Sequence, residues 1–367
     1  MMDPGIEGGV DRIAVVGGGP VGGLLAAALA ERAARVVVVD TNPAVVDALK
    51  THGIRVREGD TTRRVALAGA YRDIAALQEE APDVVVIATK TWTYPLLLPA
   101  LERTHRRGRR YVVAQNGIDN ERVIANSFGA EHTVRMVVNY AGDCPEPGVM
   151  RQIFFHPPNR VGVLVPEAAG FARTFARFLS GGGLETEFAA DLRTHIWKKA
   201  AMNAAMSAVC ALTRRDMRGV MSCVGTRTFV RRVLRECAQV ANAEGQDFDE
   251  DFIQACVEYL IRGGPHKPSM LQDVEAGRPT EVDALNWRIT EIGRKLGVPT
   301  PLNETLAILV HGVEAQLGQC YGFRIGSVFV DASADQVCGL CPYDHGHTAV
   351  RGSRLWSADA APTSPQE

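Results

Sequence analysis

An open, doubly wound α/β sheet followed by an all-α domain is the fold class this sequence predicts, on three observations. A short apolar run at 13–16 (IAVV) feeds a glycine-rich turn, Gly17-Gly18-Gly19-Pro20-Val21-Gly22-Gly23, which opens an alanine- and leucine-rich helical stretch. Valine-rich runs at 35–40 and 83–88 then alternate with helical patterns, as parallel βαβ units require. From residue 192 to about 318, helical periodicity replaces the β-like pattern.

The first unit carries the most specific signal. In a GxGxxG turn between strand and helix, Gly17 permits the tight bend, Gly19 lets the backbone approach a pyrophosphate, and Gly22 lets the helix pack on the strand. Gly18, Pro20 and Val21 complete the cradle, where the helix N-terminus favours an anion. The second strand ends at Asp40, at the spacing where a carboxylate meets the adenosine ribose. Strand, turn, helix, strand and acid in this order predict a Rossmann-type dinucleotide site. A carboxylate at 40 flanked by Thr41 and Asn42, with no arginine, favours NADH over NADPH.

Farther along, Asn42-Pro43 starts a helix that His52-Gly53 closes, and residues 54–58 alternate apolar and charged side chains like a solvent-facing strand. The strand at 83–88 delivers Thr89-Lys90 to its C-terminal end, and that at 111–114 delivers Gln115-Asn116-Gly117. In an open α/β sheet these ends face the ligand crevice, so Lys90 and Asn116 are candidate cofactor-side residues. The basic run Arg106-Arg107-Gly108-Arg109-Arg110 is expected to be a solvated turn. Residues 134–165 are β-like and are expected to extend the first domain's sheet, with a last strand or linker at 184–188. The expected layout is a leader at 1–11, a dinucleotide domain at 12–190, a helical domain at 191–322 and a flexible tail at 323–367.

Within the helical part, Lys199, Asn203 and Ser207 are four apart, so ammonium, amide and hydroxyl share one face among alanines and methionines. The His266 to Asp273 segment precedes a helix beginning near Thr280-Glu281, with Val282, Leu285, Ile289, Ile292 and Leu296 as its buried stripe. Ser269 after Pro268 suits a helix N-cap, and Glu281 suits a first turn.

Forty basic and forty-two acidic side chains give a formal net charge of −2 over 367 residues, which recruits neither nucleic acid nor an anionic membrane. A small-molecule partner is expected. Eight cysteines without a signal-peptide pattern suggest reduced thiols and a cytoplasmic protein, with no apolar run long enough to span a bilayer. In the tail, Cys338, Cys341, His345 and His347 have zinc-ligand character but crowd into ten residues, so a metal-free tail is expected.

GGGPVGG, the TK after the strand at 83–88, the QNG turn, WKKAAMN, SMLQD and TEVDALN stand in this order, and over about residues 12–318 the chain resembles the ketopantoate reductase (2-dehydropantoate 2-reductase) family. That resemblance implies a Rossmann domain, a 6-phosphogluconate dehydrogenase-like helical C-terminal domain, and NADPH-dependent reduction of 2-dehydropantoate to pantoate in the cleft between them. It also implies a dimer formed through the helical domain. Lys199 matches the catalytic lysine and Asn203 a substrate-holding asparagine. Ser269 matches the serine near the substrate carboxylate, and Glu281 the glutamate that contacts the substrate and supports the lysine. Lys90 and Asn116 match positions on the cofactor side. Ser207 stands where a second asparagine is usual, and Asp119 where the family has glycine. Those departures keep two alternatives open: a reductase of another 2-oxo acid, or a non-catalytic dinucleotide-binding regulator, against which the lysine–glutamate pair speaks.

Overall fold

The computed structural model describes residues 10–33, 35–59 and 61–316, together with the short strands Arg324–Ile325 and Val328–Phe329. The described residues up to 316 belong to one compact unit, and the two short strands pair antiparallel in another. Most of the expected leader and tail, including Cys338, Cys341, His345 and His347, lies outside the described residues.

Twelve strands occupy the first part of the chain: β1 (Arg12–Val16), β2 (Arg35–Val39), β3 (Ile54–Glu58), β4 (Thr61–Val65), β5 (Gly69–Tyr71), β6 (Val84–Ile87), β7 (Arg110–Val113), β8 (Thr133–Val137), β9 (Tyr140–Glu146), β10 (Val149–Phe155), β11 (Asn159–Val163) and β12 (Thr186–Phe188). Eight form one sheet in the order β12-β11-β8-β7-β6-β1-β2-β5. It is parallel except where β11 meets β8. Its central strands are buried runs of β-branched residues, with Val16 level with Val39 on one side and Ile87 on the other. Strand order reverses on either side of β1, so the ends of β1 and β6 open the crevice where ligands bind such sheets.

The β-like stretch at 134–165 divides between two sheets. Strands β8 and β11 extend the main sheet, whereas β9 and β10 join β3 and β4 in a separate four-stranded sheet, order β4-β3-β10-β9. The basic run also departs from expectation. Arg109 is buried, and its guanidinium donates to the carbonyls of Leu77, Pro82 and Thr104 at 3.3, 3.1 and 2.6 Å. Three backbone acceptors closing around one cation explain why it leaves the solvent.

Beyond β12 the chain is helical to residue 316. The Leu192–Thr213 helix is its axis. Alanines at 200, 201, 204, 205 and 208 are all buried, letting helices Val224–Ala243, Ser269–Glu275 and Pro301–Gln316 pack against it. Asp191 caps its start by accepting from Thr194 N–H at 3.3 Å. The helix expected from 280 begins instead with a π-helical turn, Asp283–Trp287, in which Trp287 N–H donates to Val282 C=O at 3.1 Å. Val282, Leu285, Ile289 and Ile292 are buried as expected, but Leu296, in the last turn, is exposed.

Candidate functional site

The glycine turn connects β1 to the Pro20–Ala30 helix. Gly17 has φ +105°, and a Cβ there would lie 2.8 Å from the backbone of Ala88 and Thr89, so turn and β6 end touch. A Cβ at Gly22 would fall 1.8 Å from Gly17 O, which makes any larger residue incompatible with the turn. At Gly19 a Cβ would meet nothing within 4 Å, so this side of the turn is open toward the crevice. Pro20 is the first helical residue and Val21 C=O accepts from Tyr140 O–H at 2.9 Å.

Asp40 closes the cradle from β2. Its carboxylate accepts from Gly18 N–H at 2.7 Å and from Asn42 N–H at 2.8 Å, so it is held against the glycine turn. An open glycine edge, a helix N-terminus and a fixed carboxylate at the neighbouring strand end fit the diphosphate and ribose of a dinucleotide.

At the end of β6, Lys90 enters a charged cluster that joins sheet to helices. Its ammonium lies 2.6 Å from Asp273 Oδ2 and 3.5 Å from Glu281 Oε2. Glu281 Oε1 also accepts from Thr91 N–H at 3.2 Å, and Asp273 Oδ1 accepts from Arg278 at 3.0 Å. Both carboxylates are buried. Burial pulls the Lys90 ammonium toward neutrality, but Glu281 and Asp273 outweigh it and hold it above the ordinary lysine range.

Lys199 sits in the opposite environment. The Leu192–Thr213 helix carries it to a small cavity lined also by Gln115, Asn116, Gly117, Arg135, Met136, Val137, Ile196 and Ala200. Its ammonium donates to Val138 C=O and makes no ion pair among the described residues. Burial, and next the Arg135 charge, push it down to about 7, against a weaker pull from Glu281.

Asn116 is fixed on the cavity wall by its own backbone. Its C=O accepts from Asn120 Nδ2 at 2.6 Å. The next residue, Gly117, has φ +102°, and a Cβ there would come 2.6 Å from Ala284 O. Ile118 N–H donates to that same carbonyl at 3.1 Å, tying the Asn-Gly turn to the π-helical turn. Asp119 has a left-handed backbone, at φ +65°. Its carboxylate binds Arg193 at 2.7 Å and Arg288 at 2.6 Å, both from the helical part.

The remaining candidates divide by exposure. Asn203, one turn beyond Lys199, is half-buried and its amide makes no hydrogen bond among the described residues. Ser207, another turn on, is buried. Ser269 is exposed and occupies the first turn of its helix, with Pro268 rather than Ser269 in the cap position, since proline's extended backbone ends the preceding segment there. The structure thus joins Lys90 to Glu281, and Lys199 to the Asn116 turn. It does not join Glu281 directly to Lys199: the glutamate's oxygens are engaged by Lys90 and Thr91. Asp273 and Arg135 were missed by sequence reasoning. A lone arginine within the buried run TVRMV, and an acid inside the apolar turn of SMLQD, were the available signals.

Comparison with known proteins agrees with this geometry. A family profile described as ketopantoate reductase PanE/ApbA matches residues 13–158, and its C-terminal counterpart matches residues 191–314. The chain is 27% identical to the 2-dehydropantoate 2-reductase of Halobacterium salinarum, over 82% of this chain and 97% of that protein. It is 28% identical to that of Caulobacter vibrioides, over 82% and 98%. Among solved structures, a putative ketopantoate reductase from Ralstonia solanacearum superposes with a TM-score of 0.75 at 27% identity, covering 84% of this chain and 99% of that one. D-mandelate dehydrogenase, solved with NADH and anilino(oxo)acetate, superposes with a TM-score of 0.76 at 24% identity, covering 83% and 99%. With the glycine turn, the Asn-Gly turn and the lysine helix all inside the matched segments, the chain belongs to the ketopantoate reductase family.

Proposed function

We propose that this protein reduces 2-dehydropantoate to pantoate with NAD(P)H, and that Lys199 is the general acid. One observation carries the reading: a lysine poised at about 7 opens on a cavity at the C-terminal edge of a dinucleotide-type sheet, beside an asparagine turn. When bound, the nicotinamide supplies a hydride to the ketone carbon. Lys199 then has to meet the alkoxide: its ammonium stabilises the negative oxygen and releases a proton to it, giving the alcohol and a neutral amine. A group titrating near the working pH suits both the protonated state this requires and the proton transfer itself.

Around that step, Asn203 offers an uncommitted amide one helical turn from the lysine, for the ketone oxygen or a hydroxyl. Ser269 is assigned the substrate carboxylate, and Ser207 lines the far end of the same helical face. Glu281 acts on Lys199 through its charge and holds Lys90 by an ion pair. Gly17, Gly18, Gly19, Pro20, Val21 and Gly22 hold the diphosphate, with Lys90 and Asn116 toward the nicotinamide. Asp40 favours NADH because its carboxylate suits free ribose hydroxyls and repels a 2′-phosphate. A cytoplasmic homodimer formed through the helical part completes the proposal.

Ser207 supports a second reading. A buried serine in place of an asparagine, followed by Ala208-Val209-Cys210, changes the lining of the helix face. That favours a reductase of the same build acting on another 2-oxo acid. Absorbance assays with NADH and NADPH against 2-dehydropantoate and a panel of 2-oxo acids separate the two. Turnover of 2-dehydropantoate supports the first. Turnover of another acid alone selects the second, and cofactor binding without oxidation of either nucleotide overturns both.

A further inference from the structure

Arg135 is a buried cation in the middle of β8, within the wall of the lysine cavity. Its Nη1 donates to Val113 C=O at 2.9 Å and its Nη2 to Gly117 C=O at 3.0 Å, so it staples the end of β7 to the Asn-Gly turn. Its Nε lies 3.3 Å from Glu121 Oε2, yet neither atom has a hydrogen-bond partner. The pair is therefore a buried ion pair held by proximity rather than by an aligned hydrogen bond.

We infer that Arg135 is a positioning residue of the reductase site: it clamps the turn that carries Asn116 and sets a fixed positive charge against Lys199. This rests on the proposed function for its kinetic consequence, but the two claims fail separately. The charged and titratable groups around the lysine come from several elements. Arg135 faces it from β8 and Glu281 from the segment before the π-helical turn. Arg135 in turn faces Glu121, Tyr94, Glu281 and Asp119. Of these, Arg135 is the one that favours the neutral amine. Removing it should stabilise the ammonium and move the lysine's titration upward.

The test uses R135Q and R135K in the full chain, with folding checked by circular dichroism. In R135Q the alkaline limb of the kcat/KM profile should move up by about one pH unit, as expected for loss of a near like charge. R135K keeps the charge, so its limb should stay at the wild-type pH while KM rises through the loosened Asn116 turn. Lys199 acetylation by acetic anhydride, followed against pH by peptide mass spectrometry without any substrate, should show the same upward shift in R135Q. An unmoved acetylation midpoint in R135Q overturns the electrostatic role, whatever 2-oxo acid is reduced. Should R135Q fail to fold, R135K decides: wild-type KM and kcat there overturn the clamp. If the assay panel gives no turnover but the acetylation midpoint moves, the charge coupling of Arg135 to Lys199 stands and the proposed reaction falls.

Discussion

Lys90 and Lys199 both lie where the sheet meets the helices, and their surroundings drive them in opposite directions. Lys90 is bracketed by two buried carboxylates, which hold its charge despite desolvation. Lys199 has a carbonyl for a partner and an arginine for a neighbour, and falls to about 7. Depth does not distinguish them, since each is partly buried. What differs is the sign of the nearest fixed charge. A permanently charged lysine can bind and orient; one that titrates near neutrality can also pass a proton.

Exchanging or deleting these groups tests the division. The largest effect belongs to Lys199→Ala, which should lower turnover by at least ~10²-fold, the contribution of a positioned acid. Steady-state assays with saturating cofactor measure it, and near-normal turnover would assign the proton elsewhere. Next is Lys90→Met, which leaves buried Glu281 without its cation and Asp273 with Arg278 alone. We expect about 2 kcal/mol of lost stability by denaturant unfolding, below the range for a fully buried pair because Lys90 is a third exposed. Its raised pKa fixes the sign with pH: the stabilisation is full below the unfolded value, 10.5, and disappears as pH rises through the higher folded value. In Lys90→Met that alkaline loss should be absent. The smallest effect sharpens the cofactor side: Asp40→Ala should move the NADPH-to-NADH preference by about tenfold toward NADPH, roughly 1.4 kcal/mol. An unchanged ratio of kcat/KM values would separate Asp40 from the ribose.

The glycine turn and the individual strands of the main sheet were legible in the sequence because their signals are local. Gly17 and Gly22 serve a bend and a contact set within six residues, and valine runs mark buried strands wherever they occur. The second sheet was not legible, since β10 pairs with β3 across a long stretch of chain and nothing in either strand names the other. Arg109 looked like its neighbours until three carbonyls from separate segments enclosed it. In the site, motif spacing brought Lys199 and Asn116 to attention. The partner of Glu281 is set by tertiary packing instead: Asp273 and Glu281 lie on the two sides of the Gly277 turn, and their burial recruits Lys90. Arg135 was the legible signal that went unused, a cation where a buried strand calls for an apolar residue.

The most direct measurement is a pH titration of the two side-chain amines by nitrogen-15 NMR, assigned with Lys90→Met and Lys199→Ala. The contrast described here predicts that the Lys199 amine titrates near 7 while the Lys90 ammonium stays protonated past 10.5. A Lys199 that titrates with ordinary lysines, or one that outlasts Lys90, would contradict it.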